Sequence, residues 1–280
     1  MRPAKTQRAD GQLFELDGVS LWGKVSGSGR PVVLLHGVTA NAYVFDPVAS
    51  RLADSVRVIA VDQRGHGRTG PAADGDYSAA AFARDVARLA EVLGEPVIVA
   101  GHSLGSRNAI EAAARYPAAV AGVAAIDFTP YLGTAVLRAV SARVARGDRR
   151  FAGLDEIRVY LRERYPRLPP DAVERRARYG YRQTADGEYV PLADPAAMRL
   201  ASAGLSEDLA PALAKMTVPA VLVRGADSTL VSPEAFRRTR ELRPDLPAVE
   251  IAGADHYVPE ERPHDVAGVI LQLAARIERS

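Results

Sequence analysis

Short runs of apolar, β-branched residues recur along the chain. They are "VVLLH" (Val32 to His36), "VRVIAVD" (Val56 to Asp62), "PVIVAGHS" (Pro96 to Ser103), "VAGVAAID" (Val120 to Asp127), "AVLVRG" (Ala220 to Gly225) and "AVEIAG" (Ala248 to Gly253). Near-continuous apolar strands suit a parallel sheet covered on both faces. Helical stretches lie between several of them. "YSAAAFARDVARLAEVLG" (Tyr77 to Gly94) gathers its apolar residues on one face and ends on Gly94, a suitable C-cap because glycine enters the left-handed region without a Cβ penalty. "GSRNAIEAAARYP" (Gly105 to Pro117) is alanine-rich and stops before Pro117, whose ring disfavours a helical conformation in the residue before it. The alternation predicts a doubly wound, mostly parallel α/β fold.

That alternation breaks between about Tyr131 and Leu205, where the pattern turns helical with proline-rich interruptions such as "YPRLPPDAV". A helical cap inserted after the strand ending at Asp127 accounts for the break and for the later return of strands. The expected division is a core of residues 1–130 and 206–280 with a cap of residues 131–205. The break region holds fourteen arginines against nine acidic residues. Most of these arginines are expected on a solvated helix face, with a few turned to the cleft.

Composition narrows the function classes. At 280 residues the chain is long enough for one large domain with a well-buried core. Its 36 basic and 34 acidic residues are too evenly matched to point to nucleic acid. The lack of cysteine removes disulfides, thiolate catalysis and zinc–thiolate sites. "MRPAKTQRADGQ" has no apolar signal-peptide core, and no run of 18 apolar residues occurs, so a cytoplasmic protein without membrane contact is expected. The expected partner is a small molecule, with no cofactor or metal, and the chain is expected to be a monomer or homodimer.

"GHSLG" (Gly101 to Gly105) is weak evidence as a bare string, but here it ends a strand and opens a helix. A sharp strand-to-helix turn lifts the central Ser103 hydroxyl above the sheet edge, and the flanking glycines avoid clashes. "LLHGVTAN" (Leu34 to Asn41) turns after another strand, so that the Val38 and Leu104 N–H groups can converge as an oxyanion hole. His36 and His66, the latter in "DQRGHGRT", read as scaffold residues. The base is expected in a late loop, where "AVEIAGADHYVPEERP" supplies His256, while His264 falls inside the last helix and is expected to be solvated. The acid has two candidates. After Gly225 the third residue is Ser228, and Asp227 comes one position before a Gly-x-x-Asp spacing would put it. Asp127 leaves the strand "VAGVAAID" at the same carboxyl-terminal edge as Ser103. A one-residue shift turns an extended side chain to the other face, so Asp127 is preferred and Asp227 is the alternative.

Together the elbow, the His-Gly loop, the "DQRGHG" turn and the late Asp-His resemble the α/β-hydrolase superfamily over nearly the whole chain, which implies a sheet of about eight strands under an inserted cap. "GHSLGSRNAIEAAARYP", "AIDFTPYL", "RGADSTLVS", "LRPDLPAVEIAGADHYV" and the cap's "RYP" are similar to the (E)-2-(acetamidomethylene)succinate hydrolases of vitamin B6 breakdown. That resemblance implies an acid at the end of the strand after the elbow helix, Asp127. It also implies Arg143, Arg164 and Tyr165 as contacts to a carboxylated substrate. The implied reaction is hydrolysis of an N-acyl enamine to acetate, succinate semialdehyde, ammonia and carbon dioxide. The competing expectations are a carboxylesterase or lactonase of another substrate, and a cofactor-free dioxygenase of the same fold.

Overall fold

The computed structural model describes residues 11–279. The chain opens with β1 (Gln12–Leu16), β2 (Val19–Ser26), β3 (Pro31–Leu35), α1 (Asp46–Leu52), β4 (Arg57–Val61), α2 (Ala79–Leu93), β5 (Val97–His102), α3 (Leu104–Arg115) and β6 (Val120–Ile126). Then come α4 (Thr134–Ala145), α5 (Leu154–Arg164), α6 (Pro170–Tyr179), the small hairpin β7 (Tyr181–Gln183) and β8 (Tyr189–Pro191), α7 (Pro195–Ala203) and α8 (Ala210–Lys215). The chain then returns through β9 (Ala220–Gly225), α9 (Pro233–Leu242), β10 (Ala248–Ile251), α10 (Val258–Glu261) and α11 (Pro263–Glu278).

Eight strands form one sheet in the order β1-β2-β4-β3-β5-β6-β9-β10. β1 and β2 are antiparallel and the strands from β4 to β10 run parallel. The strand periodicity explains the unbroken apolar runs. Along β3, Val33 and Leu35 enter one core cluster with α2 and α3, whereas Val32 and Leu34 enter the other with α1 and α11. Successive side chains point to opposite faces, so a strand packed on both needs an apolar residue at every position.

β1 was not among the six runs because it follows the other rule: Phe14 is buried while Leu13 and Glu15 are exposed, the in–out alternation of an edge strand. β2 buries the neighbouring Leu21, Trp22 and Gly23, and its polar Ser20 and Lys24 on either side keep it from reading as an apolar run. α2 is held at both ends: the Ser78 hydroxyl accepts from the Ala81 N–H, and Gly94 takes φ +79° as C-cap.

The long insertion lies between β6 and β9. Its helices α5 and α6 share an apolar cluster of their own with Phe151, Ile157, Leu161, Leu168 and Val173. Val140 and Val144 of α4 and Met198 of α7 join the cluster on the sheet's α2–α3 face. The β7–β8 hairpin departs from the all-helical expectation. Its strands are three residues each and carry polar positions, too short for a period-2 signal.

Candidate active site

The parallel strands wind outward in opposite directions from the β3–β5 pair: the chain leaves β3 for β4 on one side and β5 for β6 on the other. Loops leaving neighbouring strands in opposite directions open a crevice at the carboxyl edge of the sheet, where ligands of open α/β sheets bind. The β3 loop brings Gly37, Val38 and Thr39 to that crevice, and the β5 turn brings Ser103.

Three non-glycine residues among those described have positive φ: Thr39 (64°), Ser103 (55°) and Asp127 (51°). All three sit at this rim. Such backbone is unfavourable for L-residues and persists where the surroundings over-determine it. Around Ser103 the determinant is contact distance: a Cβ on Gly101 would lie 2.1 Å from the Gly105 carbonyl oxygen, and one on Gly105 would lie 2.1 Å from that of Leu35. Leu104 is the first residue of α3, where an N–H has no intrahelical partner. Neither its N–H nor that of Val38 meets an acceptor among the described residues.

Asp127 ends β6 fully buried and accepts three hydrogen bonds, from the Gly225 N–H (2.9 Å), the Ser228 hydroxyl (2.7 Å) and His256 Nδ1 (2.8 Å). The residue at the Gly-x-x-Asp position is therefore used after all, as a hydroxyl donor to a carboxylate from the neighbouring strand. Burial pushes the Asp127 carboxyl up, while the Ser228 and Gly225 hydrogen bonds pull it down. Burial pushes His256 below its ordinary value, and the Arg143 charge pushes it further. The imidazole is thus the free base at neutral pH, and donation from Nδ1 leaves Nε2 as its basic nitrogen. The His256 loop is fixed by the His102 ring, whose Nε2 donates to the His256 carbonyl (2.6 Å), and by Glu261, which accepts from the Asp255 N–H (2.6 Å).

Ser103 and His256 line the same narrow cavity, and no hydrogen bond between their side chains is formed in this structure. The cap supplies the cavity's other wall with Arg143, Arg164, Tyr165 and Arg176. Arg143 has no carboxylate partner among the described residues. Among the described residues Arg164 donates only to neutral oxygens, the hydroxyls of Tyr165 (2.9 Å) and Tyr160 (2.7 Å) and the Arg143 carbonyl (2.8 Å). Burial raises the Tyr165 phenol, but the Arg164, Arg176 and Arg143 charges outweigh it and bring it down to about 8.

Residues 32–269 match the family described as "Alpha/beta hydrolase family". The chain belongs to the alpha/beta hydrolase family. As a member of it, this protein is a hydrolase-fold enzyme. It is 46% identical over 250 residues, 89% of each chain, to the 2-(acetamidomethylene)succinate hydrolase of Mesorhizobium japonicum. A crystal structure of E-2-(acetamidomethylene)succinate hydrolase superposes with a TM-score of 0.92 at 42% identity, covering 95% of this chain and 98% of that one. N-formylmaleamate deformylase of Pseudomonas putida is 25% identical over 246 residues, 84% of this chain and 85% of its own.

Within this alpha/beta hydrolase the structure gathers Ser103, His256, Val38, Arg143, Arg164 and Tyr165 at one cavity, with Asp127 directly behind the histidine. Asp227, the alternative acid, faces Arg167 of the cap at 2.7 Å instead of the imidazole, because its backbone turns one residue before the position that points inward. His36 accepts from the Gln63 N–H and His66 packs edge-on against it, both buried beneath the loops. His264 is exposed on α11.

Sequence reading missed Arg176, Glu260 and Tyr257. Arg176 is gripped by both carboxylate oxygens of Glu260, and its guanidinium lies 4.7 Å from the Tyr165 ring centroid and 4.9 Å from that of Tyr257. A signal existed: Ala172, Val173 and Ala177 mark the buried face of α6, and position 176 falls on that stripe. Among the described residues no group of three or more His, Asp or Glu is placed to hold a metal ion, and no helix is long and apolar enough to cross a membrane.

Proposed function

We propose that the protein is a serine hydrolase that cleaves the amide of a small N-acyl enamine dicarboxylate, with (E)-2-(acetamidomethylene)succinate as its substrate. His256 Nε2 takes the Ser103 proton as Oγ attacks the acyl carbonyl. The Val38 and Leu104 N–H groups receive the oxyanion. The imidazolium then gives its proton to the departing nitrogen, leaving an acetyl-enzyme and an enamine. One water, activated by the same imidazole, releases acetate. A second water hydrolyses the imine tautomer of the enamine, so that ammonia, carbon dioxide and succinate semialdehyde follow without the triad. Asp127 holds the histidine tautomer throughout.

The observation that carries the substrate half is Arg143, a guanidinium on the wall of the Ser103 cavity with no carboxylate partner among the described residues. A cation beside an active site for neutral esters is a cost, whereas a planar guanidinium matches a carboxylate in two hydrogen bonds. Arg164, bonded among the described residues only to neutral oxygens, adds a second such group, and Tyr165 a phenol hydroxyl beside it. The names of the relatives support the same chemistry. Two measurements test it: fluorophosphonate labelling mapped by mass spectrometry, expected at Ser103, and KM for the dicarboxylate amide against its dimethyl ester. Preference for the diester overturns the substrate assignment, and labelling elsewhere overturns the nucleophile.

A further inference from the structure

A second, more open groove of about 710 Å³ adjoins the cavity, sharing Arg143, Arg164, Tyr165, His256 and Tyr257 with it. Its outer part adds Arg146 and Arg167. The carboxylate on its wall, Asp255, is occupied by the Thr229 N–H (2.7 Å) and hydroxyl (2.9 Å). Arg146 is exposed and, like Arg143, has no carboxylate partner among the described residues. Arg167, in the loop after α5, reaches from the cap to Asp227 in the loop after β9. Both members of that pair are about half exposed, at 46% and 48%. A pair so wet is readily broken by water and salt.

We propose that Arg146 and Arg167 form a capture site for carboxylates at the mouth of this groove, ahead of the catalytic cavity, with Asp227 as a built-in competitor that occupies Arg167 until an anionic substrate displaces it. The inference rests on the carboxylated substrate of the preceding subsection. A dianion entering the groove meets four guanidinium groups, those of Arg146, Arg167, Arg143 and Arg164, against the Asp255 charge on the wall and the Asp227 carboxylate it displaces, with Asp255 and Glu261 also acting on Arg167. Like charges lining a low-dielectric cleft concentrate an oppositely charged ligand and speed its arrival. The pair thereby gives Asp227 a role outside proton transfer.

A structural strap and a competitor predict different signs. If the pair only fastened the cap to the core, Arg167→Gln and Asp227→Asn would break the same bond and act alike. As a competitor, Asp227 opposes Arg167. The readout is kcat/KM at low and high ionic strength for the dicarboxylate amide and for a neutral acetate ester, since this ratio reports capture by the free enzyme. Arg167→Gln is expected to lower the dicarboxylate value about three- to fivefold at low salt and to flatten its salt dependence. Asp227→Asn is expected to raise it by about twofold or more, and the double variant to match Arg167→Gln. Arg146→Gln, which breaks no ion pair among the described residues, moves with Arg167→Gln. Parallel changes in Arg167→Gln and Asp227→Asn, or a dicarboxylate kcat/KM indifferent to salt and to all these variants, overturn the proposal. A wild-type enzyme that favours the neutral ester at low salt marks instead a failure of the substrate assignment itself.

Discussion

The sheet edge and the cap face each other across one cavity, but they hold their functional groups by different means. At the edge, position comes from backbone. Thr39, Ser103 and Asp127 are each held at positive φ, and Gly101 and Gly105 allow main chains to approach where any Cβ would collide. In the cap, Arg143 and Arg164 stand at ordinary helical positions of α4 and α5, and Arg176 on α6 is oriented by Glu260 and two tyrosine rings. Strained turns tolerate few substitutions, and the proposed function assigns the chemistry to them. Helix surfaces tolerate many, and the proposed function accordingly assigns the choice of substrate to the cap.

Breaking the edge should therefore cost more and affect every substrate. Gly105→Ala places a methyl against the Leu35 carbonyl and should destabilise the fold by about 1–3 kcal/mol, read as a lower urea midpoint. Turnover of the neutral ester and of the dicarboxylate amide should fall together. Breaking the cap should discriminate instead: Arg143→Gln should raise KM for the dicarboxylate amide about 10- to 100-fold, the worth of a charge-assisted contact, and leave the ester far less affected. The smallest effect is on pH. Burial holds His256 low and the Arg143 charge holds it lower, with Arg176 acting in the same sense and Asp255 in the opposite one. Removing that charge lets imidazolium form at higher pH, so the acid limb of kcat/KM for the neutral ester should move upward in Arg143→Gln. A downward move would contradict the placement of Arg143 beside the imidazole.

The same contrast explains what the sequence made legible. Parallel strands, the elbow and the late histidine leave compact signatures, because unbroken apolar runs and glycines at fixed offsets are direct consequences of two-sided packing and close backbone approach. Asp127 was readable as the last residue of such a run. Its partner Ser228 was not, because a hydroxyl 101 positions away announces nothing about the carboxylate it serves. Arg176 and Glu260 meet 84 positions apart, a pairing that only the folded cap creates. The β7–β8 hairpin escaped because six residues of mixed polarity carry no period.

The identity of the acid is the point on which the account turns. Measured as kcat on the dicarboxylate amide, Asp127→Asn should lose about 10⁴-fold, because the histidine loses its tautomer and the imidazolium its counter-charge, while Asp227→Asn should stay within about tenfold of the parent enzyme. The opposite ranking would contradict it.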